Sequence, residues 1–318
     1  MDRIICDSEK ISSIQFDSLI SLYQFDRTPS DYTIKYLVKL CRIFQKDTGV
    51  TSPIDIDKHL LNRWKSILLS RVRKTTCNSY LRQFRALIKF AFDEGIIKVY
   101  PYTDFNFVRE GEPEYKLISN TTTTQAISYL GSKENTLSPG WFWIIVIRTF
   151  YYTGMRRRQL VGLKFKDIDL KQQTILLSSD HSKTLKQWTI PINDELIPDL
   201  HFLKARNQEI FGYEDMDIAS QQVFNITYFN QKYAGNNLTI NQVSGFFRNL
   251  SKKLGAKCSP HRFRHKIATE LTNNQNNIKV VQELLGHRDV KTTLGYVHSD
   301  MKQMRKAVQT TSTIMREK

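Results

Sequence analysis

The stretch PHRFRHKIATELTNNQNNIKVVQELLGHRDVKTTLGYVH, residues 260–298, decides how the rest of the chain is interpreted. His261 and Arg264 are three residues apart, which places both side chains on one face of a helix. Ile267, Ala268 and Leu271 follow at helical spacing and predict one buried side. The asparagine-rich residues 273–277 then indicate a turn.

A second helix is predicted directly after that turn. Apolar residues recur on one helical face at Ile278, Val281, Leu284 and Leu285. Gly286 stands where a helix commonly ends in the left-handed conformation, so His287 follows a helix end. Tyr296 comes nine residues later, in a short segment that contains Thr292, Thr293 and Gly295.

Each of these residues has a common structural explanation when it is taken alone. A histidine at a helix end is usually a capping or surface residue, and a tyrosine usually packs in a core. His261 and His265, four residues apart, also resemble half of a zinc-binding helix. The acid that this motif requires at its second position is replaced by Arg262, and a cation between two ligands argues against a metal.

Two upstream motifs change this interpretation. The sequence TGMRRRQL occupies residues 153–160, and SKTLK occupies residues 182–186, just before a strand-like segment. In order, the chain therefore contains TGMR, SKT, HRFR, LGH and a tyrosine. This ordered set resembles the tyrosine recombinase (phage integrase) family. The resemblance covers most of the chain, since the N-terminal part also resembles the family's helical core-binding domain.

The resemblance implies a reaction in which a tyrosine attacks a DNA phosphodiester. Arg156 and Arg264 would hold the charged phosphoryl group, because guanidinium forks match its geometry and stay charged. Tyr296 would be the nucleophile, and Lys183 would protonate the departing 5′ oxygen, with Lys186 as the second candidate. His261 and His287 would add hydrogen bonds, and His261 could also help to accept the phenolic proton. The 3′-phosphotyrosyl product keeps the energy of the broken linkage, so neither ATP, a metal nor another cofactor is expected.

One position departs from the family pattern. The residue three positions after Arg156 is usually a carboxylate in the family, and here it is Gln159. An amide can accept a hydrogen bond from a catalytic histidine, but it carries no charge that would hold that histidine protonated. We expect this replacement to change the protonation of the catalytic histidine and to leave the reaction type the same.

Composition agrees with a nucleic-acid partner. The 318 residues include 47 Lys+Arg and 31 Asp+Glu, which gives a formal net charge of +16, and a folded chain of that charge favours a polyanion.

The length favours two domains. Cysteines 6, 41, 77 and 258 lack paired spacing, which suits a reducing cytoplasm, and no signal peptide or membrane span is predicted. We expect a cytoplasmic, DNA-associated bacterial protein.

The predicted fold class is mainly α with a small antiparallel β-sheet. A helical core-binding domain is predicted at residues 14–103, a linker at 104–120 and a catalytic domain at 121–318. A hinge in the linker would let the two domains close around a duplex, as the resemblance implies. Basic residues on and near predicted helices are expected to contact DNA phosphates, although a charged face is more often merely solvated; they are Arg71, Arg73, Lys74, Arg82, Arg85, Lys89, Lys252 and Lys253.

Local signals predict several element boundaries. Asp31 is expected to cap one helix, and residues 121–124 are expected to cap another. The segments 165–170, 174–178 and 188–192 are expected to form the sheet, with Lys183 in the turn before its third strand. Residues 301–315 have helical apolar spacing and could pack on their own domain or dock into a neighbouring subunit.

The expected function is site-specific DNA recombination in the integration, excision or transposition of a mobile element. The expected substrate is double-stranded DNA with inverted half-sites, bound by a homodimer on one site and a homotetramer in the synapse. Two alternatives remain open: a DNA-binding accessory protein that keeps the fold without chemistry, and a type IB topoisomerase. The sequence does not identify the target DNA or the kind of element served.

Overall fold

The computed structural model describes residues 14–111, 117–179, 186–211, 218–233, 237–272 and 278–296, and the side chain of residue 211 is not included. The chain divides into two compact units, residues 1–113 and 114–318. The described part is mostly helical and contains one three-stranded antiparallel sheet, which confirms the predicted fold class.

The first unit is a helical bundle with an aromatic core. Its helices are α1 (Phe16–Arg27), α2 (Asp31–Thr48), α3 (Lys58–Leu69) and α4 (Lys74–Asp93). The Phe44 ring stacks on Phe84 at 4.6 Å and meets Trp64 edge-on at 5.0 Å, and all three side chains are fully buried. Such aromatic contacts stabilise a core beyond the area that they bury.

The second unit holds eight described helices and the sheet. The helices are α5 (Asn120–Gly131), α6 (Gly140–Thr153), α7 (Arg157–Gly162), α8 (Ile197–Phe211), α9 (Ile240–Leu254), α10 (Pro260–Thr272), α11 (Ile278–Leu285) and α12 (Val290–Leu294). The strands are β1 (Ile168–Asp169), β2 (Thr174–Leu177) and β3 (Trp188–Pro191).

Helix α6 lies at the centre of the second unit because its sequence, GWFWIIVIRTFYYT, is apolar on almost every side. Trp143 stacks on Phe246 of α9 with ring centroids 3.7 Å apart, and Tyr151 meets Phe263 of α10 edge-on at 6.3 Å. The C-terminal end of α6 is thereby fixed beside α10, which carries the HRFR motif.

The sheet has the order β1-β2-β3, and Leu177 pairs with Trp188 at the end of the β2–β3 pair that adjoins the connecting segment. The predicted strand at residues 165–170 is wrong over its first half. Residues Phe165–Asp167 form a 3₁₀ turn, because the Asp167 carboxylate accepts the Lys164 N–H at 2.9 Å and closes the chain locally. Only Ile168 and Asp169 pair with β2.

Two predicted helix caps are wrong by one or two residues. The Ser30 hydroxyl, and not Asp31, caps α2 by accepting the Thr33 N–H at 3.3 Å. The Ser119 hydroxyl caps α5 by accepting the Thr122 N–H at 3.0 Å. In both cases a serine just upstream has the extended backbone that a cap requires, whereas the predicted residues already lie in the helix.

No element was predicted for the segment before Tyr296, and the structure contains a short helix, α12, there. Asp289 caps this helix by accepting the Lys291 N–H at 2.9 Å. The asparagine-rich turn at residues 273–277 and the predicted tail helix at 301–315 lie outside the described residues. None of the described helices has the length and apolar character needed to cross a membrane.

Candidate active site

Three segments of the second unit meet at the site: the α6–α7 turn, helix α10, and the chain from the end of α11 through α12. Helix α6 ends at Gly154, whose φ of +61° is a backbone conformation that favours glycine. A Cβ there would approach Ile267 to 2.7 Å and Leu285 to 2.9 Å, so the turn lies directly against α10 and α11. Arg156, two residues later, is the N-cap residue of α7.

Arg264 connects all three segments. It donates from Nη1 to the Gly154 carbonyl at 2.8 Å and from Nη2 to the Leu285 carbonyl at 2.7 Å, and only 4% of it is exposed. Burial and the nearby charge of Arg156 lower its pKa to about 9, and a phenolate at Tyr296 opposes this shift. The group therefore remains charged at neutral pH and keeps further N–H donors for a ligand.

Arg156 carries a buried donor that no described residue satisfies. Its Nη1 has no hydrogen-bond partner within the described part of the chain. Burial lowers the pKa of this guanidinium, and Tyr296 again acts in the opposite direction. An unsatisfied buried donor costs about 1–3 kcal/mol. A bound anion that accepts a hydrogen bond from the Arg156 Nη1 would remove this cost.

Gln159 fixes the backbone at Arg156. Its Oε1 accepts the Arg156 N–H at 2.7 Å, and the residue is 2% exposed. The side-chain oxygen that was expected to face a histidine is thus used by the main chain of Arg156. Its Nε2 has no hydrogen-bond partner among the described residues.

His287 lies at the end of α11, as predicted, and is 8% exposed. Its Nδ1 is 2.9 Å from the Thr293 hydroxyl of α12, and the two groups share a hydrogen bond. Burial, followed by the charges of Arg264 and Arg156, lowers the pKa of His287 to about 4, so the ring is neutral at physiological pH. The second ring nitrogen can therefore act as a neutral donor or acceptor according to the tautomer.

Trp188 packs against the turn that carries His287. Its Nε1 donates to the Leu284 carbonyl at 3.1 Å, and a Cβ on Gly286 would lie 2.3 Å from the indole ring. Gly286 is required here both by its φ of +61° and by this close approach. The first residue of β3 is thus attached to the end of α11.

Tyr296 follows α12 and lies inside the site, with 4% of it exposed. Its N–H donates to the Thr293 carbonyl at 3.0 Å, and its own carbonyl accepts the Thr272 hydroxyl at 3.1 Å. The ring is nearly parallel to the His287 ring, with centroids 5.9 Å apart, and is tilted against His265 at 5.2 Å. His265 was predicted only as a possible metal ligand, although its place one turn after His261 is a signal for a position in the site.

His261 is the exposed histidine of the site. Its ring centroid lies 4.1 Å from that of His265 on the same helix. Desolvation, with the charges of Arg264, Arg157 and Arg156, lowers the pKa of His261. A neutral imidazole keeps one unprotonated ring nitrogen that can accept a proton, whereas a charged imidazolium has none.

The structure therefore brings together Arg156, His261, Arg264, His287 and Tyr296. Lys183 lies outside the described residues, which end at 179 and resume at 186. Lys186 is exposed, two residues before the start of β3. The hairpin that holds both lysines begins and ends on strands whose register is fixed, and Trp188 attaches its second strand to the His287 turn.

The predicted DNA-contacting residues are all exposed, but several have partners within the chain. Arg71 pairs with Asp47, Arg82 pairs with Glu110 at 3.1 Å, and Lys89 pairs with Asp93. Arg85 donates to the Tyr100 hydroxyl at 3.0 Å. Exposed pairs of this kind contribute little stability and can exchange for phosphate contacts. The remaining four, Arg73, Lys74, Lys252 and Lys253, have no ion pair among the described residues.

A basic stripe on α2 was missed by the sequence analysis. Its four exposed members, at spacings of four, three and four residues, are Lys35, Lys39, Arg42 and Lys46. They flank Ile34, Val38 and Ile43 along a shallow groove, and no described acid pairs with them. The helical spacing of the four cations in the sequence is the signal that could have identified them.

Comparison with protein families and known relatives assigns the chain to a family. The Phage integrase family model matches residues 141–303, and the Phage integrase SAM-like domain model matches residues 26–108. The chain therefore belongs to the phage integrase family of tyrosine recombinases.

Related proteins carry recombinase names. The chain is 32% identical over 257 residues to the putative tyrosine recombinase XerC of Pseudomonas syringae, and the match covers 77% of this chain and 53% of that protein. It is 30% identical to the putative tyrosine recombinase XerC of Pseudomonas aeruginosa, over 82% of this chain and 63% of that protein. The chain thus spans less than two thirds of the length of these two relatives. The tyrosine recombinase XerC of Proteus mirabilis matches over 96% of this chain and 95% of its own length, at 23% identity.

Solved structures share the fold. The Tn1549 transposon integrase in complex with a circular intermediate DNA gives a TM-score of 0.74 at 21% identity, covering 93% of this chain and 99% of that one. A lambda integrase dimer bound to a COC′ core site gives a TM-score of 0.66 at 17% identity, covering 89% and 95% of the two chains. At these identities the likeness concerns the fold alone.

Proposed function

We propose that this protein is a site-specific DNA recombinase that breaks and rejoins DNA strands through a covalent 3′-phosphotyrosyl intermediate. The observation that carries the proposal is the buried Arg156 Nη1, which has no partner within the described chain, beside a second guanidinium and a buried tyrosine. A non-bridging phosphate oxygen would satisfy that donor. Family membership supports the same reaction.

In this reaction the hydroxyl of Tyr296 attacks phosphorus, and the bond from phosphorus to the 5′ oxygen breaks. Arg156 and Arg264 stabilise the charge that develops on the non-bridging oxygens, where one preorganised donor is worth about 3 kcal/mol or more of the barrier. His287 donates a hydrogen bond to the same phosphoryl group, and His261 accepts the phenolic proton, since its lowered pKa leaves it neutral. Rejoining reverses these steps with a 5′ hydroxyl as the attacking group.

Lys183 is proposed as the general acid that protonates the departing 5′ oxygen, and Lys186 is the alternative. Both belong to the segment between β2 and β3, which is anchored on either side by strand pairing. Separate replacement by glutamine distinguishes them. The true general acid is the lysine whose loss is corrected by a 5′-bridging phosphorothiolate substrate, because a thiolate leaves without protonation.

The proposed partner is double-stranded DNA with inverted half-sites, bound by a homodimer on one site and a homotetramer in the synapse. The net charge of +16 and the exposed cations of α2, α4 and α9 support phosphate contacts. The proposed setting is integration, excision or transposition of a mobile element. The integrase–DNA complexes of the same fold are consistent with that setting.

A suicide DNA substrate, nicked so that cleavage traps the covalent product, tests the proposal. The wild-type chain should form a 3′ adduct, and Tyr296→Phe should form none while binding the same DNA. Strand exchange between two sites identifies a recombinase, whereas relaxation of supercoils at any sequence without exchange would identify a topoisomerase. Binding with no adduct on a functional site would leave a DNA-binding accessory protein.

A further inference from the structure

The ring of Tyr296 lies next to two imidazoles. The His287 ring is nearly parallel to it, with an interplanar angle of 11° and a centroid separation of 5.9 Å. His265 contacts the ring at 5.2 Å with an angle of 48°. The ring centroid of His265 is in turn 4.1 Å from that of His261, so the His265 ring contacts both the exposed histidine and the tyrosine.

The backbone of Tyr296 is held independently of its ring. Hydrogen bonds to Thr293 and from Thr272 fix the peptide groups on both sides of the residue. These bonds leave rotation about the two side-chain torsions, which decides where the hydroxyl points. Contacts on the ring itself must restrict that rotation, and His265 supplies one from α10, the helix that also carries Arg264.

We propose that His265 is a positioning residue for the nucleophile: its ring, in contact with both His261 and Tyr296, holds the phenol directed at Arg156 and Arg264. This inference rests on the proposed function. A misplacement of about 1 Å in a reacting group can cost about 100-fold in rate, so a ring contact of this kind has a measurable effect.

The charge state of His265 agrees with this role. Desolvation, with His261, Arg264 and Arg262 on its own helix, lowers its pKa to about 4. The groups that face it from the following segment are Tyr296 and His287, the second of which also has a pKa of about 4. A neutral ring can occupy this cationic neighbourhood without adding a further positive charge.

Three variants separate positioning from simple packing. His265→Ala removes the ring, His265→Leu keeps apolar volume without a ring plane, and His265→Phe keeps the ring without its nitrogens. The matched control is His201→Phe, an exposed histidine on α8. Each is measured for single-turnover adduct formation at saturating protein, for DNA affinity and for thermal unfolding temperature.

We expect His265→Ala and His265→Leu to slow adduct formation by about 10- to 100-fold with DNA affinity unchanged within about twofold. His265→Phe should recover most of the rate, and His201→Phe should match the wild type. The slow variants should remain slow on a 5′-bridging phosphorothiolate substrate, because the defect concerns the attacking group. Recovery on that substrate would assign His265 to the leaving group and overturn the inference.

Other outcomes are equally decisive. A wild-type rate in His265→Ala or His265→Leu, with Tyr296→Phe inactive, refutes the positioning role and leaves the proposed function intact. Failure of all three variants to fold would make His265 a core residue only, and the inference would be wrong. Adduct formation by Tyr296→Phe would instead refute the proposed function itself.

Discussion

Arg264 and Arg156 have the same proposed chemical task but different structural surroundings. Arg264 donates to two main-chain carbonyls that join α6, α10 and α11, whereas the Arg156 Nη1 has no partner among the described residues. Substitution of Arg264 should therefore reduce both stability and catalysis, whereas substitution of Arg156 should reduce catalysis alone.

Replacement of each arginine by lysine should expose this difference. Arg264→Lys leaves at least one buried carbonyl without its donor and should lower the free energy of unfolding by about 1–3 kcal/mol. Arg156→Lys removes an unsatisfied donor and should change stability by less than about 1 kcal/mol. Both should slow cleavage by about 100-fold or more. Urea unfolding and suicide-substrate cleavage measure the two effects, and equal losses of stability would contradict this account.

Two histidines of the site make stability dependent on pH. His265 and His287 have pKa values of about 4 in the folded protein, whereas an unfolded histidine has a pKa of about 6.5. Between these values the unfolded chain binds more protons, so the free energy of unfolding rises as pH rises from about 4 to about 6.5. The stabilisation is complete above the unfolded pKa and is lost as pH falls through this window.

Removal of one such histidine should reduce that slope. His265→Phe should lower the dependence of the unfolding free energy on pH by up to about 1.4 kcal/mol per pH unit, the value for one proton. Carboxylates titrate near the lower end of the window in every variant, so the difference between variants is the quantity to compare. An unchanged slope in His265→Phe would show that His265 binds protons equally in the folded and unfolded chains, and the lowered pKa would be wrong.

At the scale of elements, the end of α11 depends on one glycine. Gly286 has a positive φ, and a Cβ would lie within 2.3–2.7 Å of the Trp188 indole. Gly255 at the end of α9 has the same φ of +61° but nothing within 4 Å of an added Cβ. A substitution at Gly255 therefore measures the free-energy cost of backbone strain alone. The same substitution at Gly286 adds the cost of displacing Trp188 and β3.

Gly255→Ala should destabilise the chain by about 1–2 kcal/mol, the cost of a left-handed alanine. Gly286→Ala should carry that strain plus about 1–3 kcal/mol for overpacking against Trp188. It should also slow cleavage, since the displaced turn carries His287 and the displaced strand follows the lysine-bearing segment. Thermal unfolding and adduct formation test this, and equal effects of the two substitutions would rule out the proposed contact.

Periodicity predicted the helices well where one face is buried, and α11 has the predicted limits. It could not locate β1, since the Asp167 side chain competes with strand pairing over the preceding residues. Nor did it predict α12, a five-residue helix that has no full apolar period and depends on the Asp289 cap and the Thr293 contact with His287. Short elements that are specified by tertiary contacts leave little trace in a local pattern.

For the molecule as a whole, motif order in the sequence sufficed to select the residues that the structure brings together. It did not reveal what joins them, such as the Arg264 hydrogen bonds to two carbonyls far apart in the chain. The contacts of the Tyr296 ring with His265 and His287 were also missed, because they arise only when α10 and the chain after α11 come together in the folded state. The net charge of the sequence predicted a DNA partner. The structure adds which Lys and Arg side chains are exposed and so can contact phosphates.

The basic stripe on α2 leads to a prediction about salt dependence in the whole protein. Each phosphate that a cation neutralises adds about 0.9 to the slope of log affinity against log salt concentration, through release of condensed counterions. Lys39→Gln combined with Arg42→Gln should therefore reduce that slope by about 0.9 for each phosphate that is no longer neutralised. Binding to all sequences should weaken alike, because phosphates carry no sequence information.

The matched control removes the same amount of charge from elsewhere in the first unit. Lys58 and Lys98 are exposed and lie outside the stripe, so Lys58→Gln with Lys98→Gln changes net charge equally. If α2 binds the duplex, the slope should fall in its double variant and stay unchanged in the control, because only cations at the phosphates displace counterions. An equal fall in both would mean that the protein binds through its overall charge, and the stripe would then be an ordinary solvated helix face.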